Sequence, residues 1–175
     1  SFIGKCNHLK LVFPASLLFT RACRSLIPVL TESASPLVQD ALEEISFWTF
    51  VDSFTQPLPW HLHRHLALQL FTDASGFAWG AEVSLPSGPL VLRDYWSSTI
   101  MPHDICMKET LALFFALQSI SGQLWNRRID AFVDNEGLFH AWSGLKAVSP
   151  QLNGVLRNMF LMLLEYNTSL KLFLV

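Results

Sequence analysis

The chain has 175 residues, of which 51% are hydrophobic and 15% are charged, and its formal net charge at pH 7 is −2. This length suits one domain of ordinary size with an additional segment, and it is too short for two full domains. The nearly neutral charge argues against a dedicated basic nucleic-acid-binding module. Contact with a phosphate backbone would have to rest on local Lys and Arg residues or on metal ions.

The three cysteines and the lengths of the apolar segments bear on the cellular compartment of the protein. Cys6, Cys23 and Cys106 are odd in number and lack CxxC spacing, which disfavours a disulfide framework or a zinc site. The apolar runs are shorter than the roughly 18 residues that a membrane span needs, and no secretion signal is visible. We therefore expect an intracellular protein, in cytoplasm or nucleus, without membrane contact. The start at Ser1 and the end at Val175, within a predicted strand, suggest cuts in a longer protein.

The first 60 residues are predicted to be helical. Ser35-Pro36 is typical of a helix start, and an earlier helix is predicted from about Pro14. The helix after Ser35 has one set of residues at apolar helical spacing: Leu37, Ala41, Ile45 and Trp48. Three acids lie between them on the predicted polar side: Asp40, Glu43 and Glu44. Because the proline-containing stretch 55–59 breaks this pattern, we expect a helical connection over residues 1–60 and a second domain over 61–175.

The second domain alternates between strand and helix patterns. Short apolar segments with turn residues between them predict three antiparallel strands, at 66–72, 77–84 and 90–97. The remaining predicted elements are a helix at 104–119, a strand at 129–133, a helix near 137–142, a helix from Ser149-Pro150 and a final strand after Asn167-Thr168. This order predicts a mixed α/β fold.

Three acids lie at positions where neither core packing nor an ordinary exposed surface accounts for an acidic side chain. Asp73 and Asp134 each follow an apolar strand, so loops should expose both carboxylates at strand ends. Glu109 lies beside the apolar stripe of its helix, where an acid is costly unless it is paired or bound to metal. Each has an ordinary alternative: the aspartates as turn formers or caps, the glutamate as a salt-bridged surface residue. Their combination indicates metal-assisted phosphodiester cleavage, which needs converging carboxylates.

At these residues the sequence resembles a known family. Phe71-Thr72-Asp73-Ala74-Ser75 with Trp79-Gly80-Ala81, then Glu109-Thr110-Leu111-Ala112, then Val133-Asp134-Asn135, are similar to ribonuclease H domains that follow reverse transcriptase in retroelements. The resemblance is strongest to DIRS/Ngaro-type retrotransposons with a tyrosine recombinase. It extends to the N-terminal Gly4-Lys5-Cys6-Asn7-His8 and to Phe47-Trp48, which resemble the segment between polymerase thumb and nuclease.

The resemblance implies a ribonuclease H-like fold, with a five-stranded mixed sheet flanked by helices, and a reverse-transcriptase domain in the same polyprotein. The implied reaction is hydrolysis of the RNA strand of RNA–DNA hybrids with two Mg²⁺ ions, or Mn²⁺ in their place. Asp73 would bridge both metals, Glu109 would hold one and orient water, and Asp134 would complete the ligand set. Ser75, Gly76 and Asn135 are candidate contacts to the RNA 2′-hydroxyl.

The sequence also departs from the family pattern. The family usually has a fourth acid, an Asp on a helix after the last strand, and this sequence ends at Val175 before that helix. Two alternatives to the active nuclease follow. One is a catalytically incomplete remnant with a structural role beside a reverse transcriptase; the other is an integrase or transposase of the same superfamily. The position of Glu109 between the first and fourth predicted strands disfavours the latter.

Other clusters have weaker functional interpretations. The alternating His61, His63 and His65 would share one face of a strand and suggest either a metal site or a solvated strand edge. The basic and aromatic stretch 125–128 suits a phosphate contact or a plain loop. Three tryptophans suit core packing or base stacking: Trp79, Trp96 and Trp142.

Overall fold

A computed structural model describes residues 2–11, 13–27, 36–53 and 67–175. The chain divides into two compact units: one within residues 1–57 that also includes Leu145–Ala147, and one that contains the rest of the chain. The predicted boundary between residues 60 and 61, and His61, His63 and His65, lie outside the described residues. None of the described helices is both long and apolar enough to cross a lipid bilayer.

The first unit is helical. It contains α1 (Phe2–His8), α2 (Arg21–Leu26) and α3 (Pro36–Ser53), with short 3-10 turns at Leu9–Leu11 and Pro14–Leu17. The helix predicted from Pro14 is therefore a 3-10 turn followed by the separate helix α2. Aromatic rings pack between these elements, and Phe19 stacks on Phe47 with centroids 3.5 Å apart.

One face of α3 differs from the prediction. Glu44, which we expected on the polar side, is 1% exposed, whereas Ile45, expected on the apolar side, is 43% exposed. The reason is a cap on α2: the Glu44 carboxylate accepts hydrogen bonds from the backbone amides of Ala22 and Cys23, at 2.9 and 3.0 Å. Those amides have no partner within their own helix, so an acid there is stabilised both by hydrogen bonds and by the helix dipole.

The second unit is built on one five-stranded sheet. Its strands are β1 (Ala67–Ala74), β2 (Ala78–Leu85), β3 (Gly88–Tyr95), β4 (Arg128–Val133) and β5 (Ser169–Leu174). Their order is β3-β2-β1-β4-β5. The first three strands pair antiparallel, and β4 pairs parallel with both β1 and β5. The predicted mixed sheet, with three antiparallel strands followed by parallel ones, is confirmed.

Helices lie between the strands in the sequence and cover one side of the sheet. They are α4 (Ile105–Ser119), α5 (Ser121–Leu124), α6 (Glu136–Ser143) and α7 (Pro150–Glu165). Ser149 caps α7 with Pro150 in its first turn, as the sequence predicts. Along β1 exposed and buried residues alternate, so that Leu68 and Leu70 enter the core while Phe71 and Asp73 point to the opposite side. On that opposite side Phe132 stacks on Phe71 and on Phe173, with centroid distances of 4.6 and 5.2 Å.

Candidate metal centre

Two of the three predicted acids lie at the ends of neighbouring parallel strands. Phe71 of β1 is aligned with Phe132 of β4, and Asp73 and Asp134 each come two residues later. Because side chains alternate along a strand, both aspartates lie on the same side as these two rings, at the same edge of the sheet. Both are exposed, as the sequence predicts for acids at strand ends.

The third acid comes from α4. Asp104 caps this helix by accepting a 2.9 Å hydrogen bond from the amide of Met107, which sets where the helix begins and so which residue reaches β1. Glu109 is 2% exposed. Its Oε1 accepts a 3.0 Å hydrogen bond from the backbone amide of Ala74, and its Oε2 is buried without a hydrogen-bond partner.

The three carboxylates converge. Asp73, Glu109 and Asp134 each offer one oxygen, and these oxygens lie within 4.8 Å of one another. Burial, the largest cause, raises the pKa of Glu109 to about 7; the Ala74 amide lowers it, and the charges of Asp134 and Asp73 raise it further. Three acids this close repel one another when they are ionised.

A divalent cation fits this arrangement. The salt bridge found among the described residues joins Arg128 to Asp130. Within that part of the chain, therefore, no basic side chain forms a salt bridge with Asp73, Glu109 or Asp134. Glu109 Oε2 has no donor of its own, and an unsatisfied buried carboxylate oxygen is costly. Oxygen ligands of this kind suit Mg²⁺ and Mn²⁺. A hard cation would satisfy Oε2 and would also remove the repulsion among the carboxylates.

The three predicted substrate contacts surround the same edge of the sheet. The Ser75 hydroxyl donates to the Ala78 carbonyl at 3.0 Å and accepts from the Ala78 amide at 3.1 Å, closing the turn between β1 and β2. Gly76 is exposed in that turn. Asn135 caps α6 by accepting a 2.9 Å hydrogen bond from the Leu138 amide. Ser75 and Asn135 thus have local structural roles, and their contact with substrate stays a prediction.

Two side-chain contacts near the site were not predicted. Lys108, next to Glu109, donates a 2.9 Å hydrogen bond from Nζ to the Gly76 carbonyl, and Trp96 donates one of 2.9 Å from Nε1 to the Ser75 carbonyl. Trp96 and Trp142 are buried, at 4% and 8% exposure, so the core-packing interpretation holds for them. In α4 four successive residues that include Lys108 are buried. The helical spacing of apolar residues in the sequence does not reveal this burial.

No protein-family model and no curated protein sequence matches the chain. Solved structures do match. RNase H1 from the halophilic archaeon Halobacterium salinarum is 16% identical, with a TM-score of 0.50 over 62% of this chain and 86% of that one. An N-terminal RNase H domain from Mycobacterium tuberculosis is 13% identical, with a TM-score of 0.50 over 63% of this chain and 87% of that one.

The chain contains a ribonuclease H-like fold. The fold expected from the sequence motifs is therefore confirmed. At such low identity the likeness concerns the fold alone, so the chemistry has to be argued from the residues of this chain.

Proposed function

We propose that the chain is an RNase H-type endonuclease domain that hydrolyses the RNA strand of RNA–DNA hybrids by two-metal-ion catalysis. One observation carries the proposal: an acid in β1, one in α4 and one directly after β4 bring three carboxylate oxygens within 4.8 Å of one another. No stabilising role within the fold requires this cluster, since like charges at this distance oppose folding. The proteins with a similar fold are named as RNases H, and the carboxylate cluster of this chain supplies the argument for the chemistry that the fold alone does not give.

Asp73, Glu109 and Asp134 would hold the metal ions, Mg²⁺ or Mn²⁺. When bound, such ions supply an activated water and stabilise the leaving oxygen of the phosphodiester. The protein contributes ligand placement. The Ala74 amide satisfies one oxygen of Glu109, and Oε2 is left without a hydrogen-bond partner beside the cluster of three acids. Asp73 and Asp134 remain open to solvent, so a nucleic-acid backbone can reach them from outside.

The substrate and the biological context belong to the same proposal. Ser75, Gly76 and Asn135 lie within three residues of Asp73 or Asp134 in the sequence, and we assign to them the 2′-hydroxyl contact that would select RNA. The proposed partner is a reverse-transcriptase domain of the same retrotransposon polyprotein, of the DIRS/Ngaro type. This assignment is supported by the motifs around Asp73, Glu109 and Asp134.

The test is cleavage of end-labelled duplexes by the chain in Mg²⁺ or Mn²⁺. We expect cleavage of the RNA strand in an RNA–DNA hybrid, none in a DNA duplex, and loss of cleavage on addition of EDTA. Asp73→Asn should abolish it, whereas Glu82→Gln, which removes an exposed acid from β2 outside the cluster, should leave it unchanged. Absence of hybrid cleavage by the folded protein would overturn the proposal and favour the structural remnant.

A further inference from the structure

The backbone that follows Asp73 is held at three successive residues by three side chains. The Ala74 amide donates to Glu109 at 3.0 Å. The Ser75 carbonyl accepts from the Trp96 indole at 2.9 Å, and the Gly76 carbonyl accepts from the Lys108 ammonium at 2.9 Å. Two of these side chains come from adjacent positions of α4, and the third follows β3. Together they attach the end of β1 to the helix that carries Glu109.

Lys108 and Trp96 are both largely enclosed by their surroundings. Trp96 is 4% exposed and packs with Ala74 and Ala112; its ring lies 6.3 Å from that of Phe115. Lys108 is 6% exposed. A buried ammonium group is costly unless it is hydrogen-bonded, and a core position could be filled by an apolar side chain at lower cost. What the ammonium group adds is a directed bond to the turn.

We propose that Lys108 and Trp96 are positioning residues: they hold the Ala74–Gly76 backbone and thereby keep the Asp73 carboxylate directed at Glu109 and Asp134. The inference rests on the proposed function, because convergence of these acids matters for holding metal. It assigns no contact between Lys108 or Trp96 and substrate. Both residues act through Asp73.

The direction in which Lys108→Met changes metal affinity distinguishes a positioning role from a purely electrostatic one. Lys108 brings a positive charge to α4 beside three metal-binding acids, so its charge alone would oppose cation binding. If Lys108 acted only through its charge, Lys108→Met would raise metal affinity. If it positions Asp73, the same substitution lowers affinity, since the carboxylates no longer converge. Methionine keeps most of the aliphatic stem and removes the donor, which makes it a suitable replacement.

The experiment measures Mn²⁺ affinity by electron paramagnetic resonance without nucleic acid, together with amide hydrogen exchange. Lys108→Met is compared with Lys108→Arg, which retains a donor, and with Lys146→Met, which removes an exposed charge. Trp96→Phe is compared with Trp79→Phe. Trp79 also packs on Phe115, at 5.9 Å, so the two variants lose the same indole group but only one loses the bond to Ser75.

We expect Lys108→Met and Trp96→Phe each to weaken Mn²⁺ binding about three- to tenfold, as for a lost hydrogen bond. The Ala74 and Ala78 amides should exchange at least fivefold faster, relative to Ala131 in the sheet centre. Lys108→Arg, Lys146→Met and Trp79→Phe should stay within twofold of the parent chain. Unchanged or tighter Mn²⁺ binding in Lys108→Met, or unchanged exchange in both donor variants, would overturn the positioning role.

The measurements distinguish failure of the proposed nuclease activity from failure of the positioning role. If the parent chain bound Mn²⁺ and the variants behaved as expected but no hybrid were cleaved, the positioning role would stand and the nuclease would not. If the parent chain did not bind Mn²⁺, the exchange rates would still decide whether Lys108 and Trp96 hold the turn.

Discussion

The backbone amide of Ala74 donates a 3.0 Å hydrogen bond to Oε1 of Glu109, which links the residue after Asp73 in β1 directly to the acid of α4. This bond explains how an acid can be almost fully buried at the edge of the core. One oxygen is satisfied by the strand, and Oε2 is buried without a hydrogen-bond partner.

Glu109 gives the metal-free protein a defined pH dependence. Its pKa in the folded chain is about 7, against an ordinary value of 4.5. Between these values the folded state binds a proton that the unfolded state releases, so the free energy of unfolding falls as pH rises from about 4.5 to 7. The loss due to this residue is at most roughly 3 kcal/mol. Urea denaturation in EDTA gives the free energy of unfolding at pH 5 and at pH 8 for the parent chain and for Glu109→Gln. The contribution of Glu109 is the amount by which the change between the two pH values is larger in the parent chain.

Glu109→Gln should separate stability from metal binding. The amide oxygen of glutamine can still accept from Ala74, while the buried charge and its repulsion by Asp73 and Asp134 are removed. We expect this variant to be more stable than the parent chain at pH 8 without metal, by about 1–3 kcal/mol. It should also lose the rise in melting temperature that Mg²⁺ gives the parent. If Glu109→Gln were less stable than the parent chain in EDTA at pH 8, the three carboxylates would not destabilise the metal-free protein as we propose.

Gly137 in α6 tests the packing of α4 beside the site. A Cβ at this position would lie 2.9 Å from Cys106 Sγ and 3.0 Å from Asn135 Oδ1. Alanine favours a helix over glycine by up to about 1 kcal/mol, yet we expect Gly137→Ala to destabilise the protein by about 1–2 kcal/mol, as overpacking does.

The matching control is Cys106→Ala, which removes the nearer atom. In that background Gly137→Ala should cost less, because only the close contact with Asn135 Oδ1 remains, so a double-mutant cycle by thermal denaturation should show a coupling of about 1 kcal/mol or more. Additive effects of the two substitutions would show that the close approach of α4 and α6 at Cys106 does not decide the choice of glycine.

The helical unit has its own test at Glu44. Glu44→Ala removes the acceptor of the Ala22 and Cys23 amides and leaves a cavity, so we expect a loss of about 2–3 kcal/mol of stability. Glu43→Ala, at the neighbouring exposed position, should change it by less than about 0.5 kcal/mol. Hydrogen exchange of the α2 and α3 amides during chemical denaturation reports on this unit, and equal effects of the two substitutions would contradict the cap.

The sequence predicted those parts of the structure that depend on local pattern. Strand alternation and the cap at Ser149 predicted the elements of the sheet unit, and acids directly after two apolar strands predicted where Asp73 and Asp134 lie. The missed features depend on contacts between distant segments. Glu44 is buried because α2 needs an acceptor, and Lys108 is buried because the β1–β2 turn lies over α4. Neither need is visible in the periodicity of a single helix.

Mn²⁺ titration decides whether the three carboxylates hold the metal, with the parent chain compared with the single variants Asp73→Asn, Glu109→Gln and Asp134→Asn and with Glu82→Gln as control. We expect each cluster variant to weaken binding at least about tenfold, as loss of a charged ligand should. The control should bind as the parent chain does. Equal Mn²⁺ affinity in the parent and all three cluster variants would show that these carboxylates do not hold the metal.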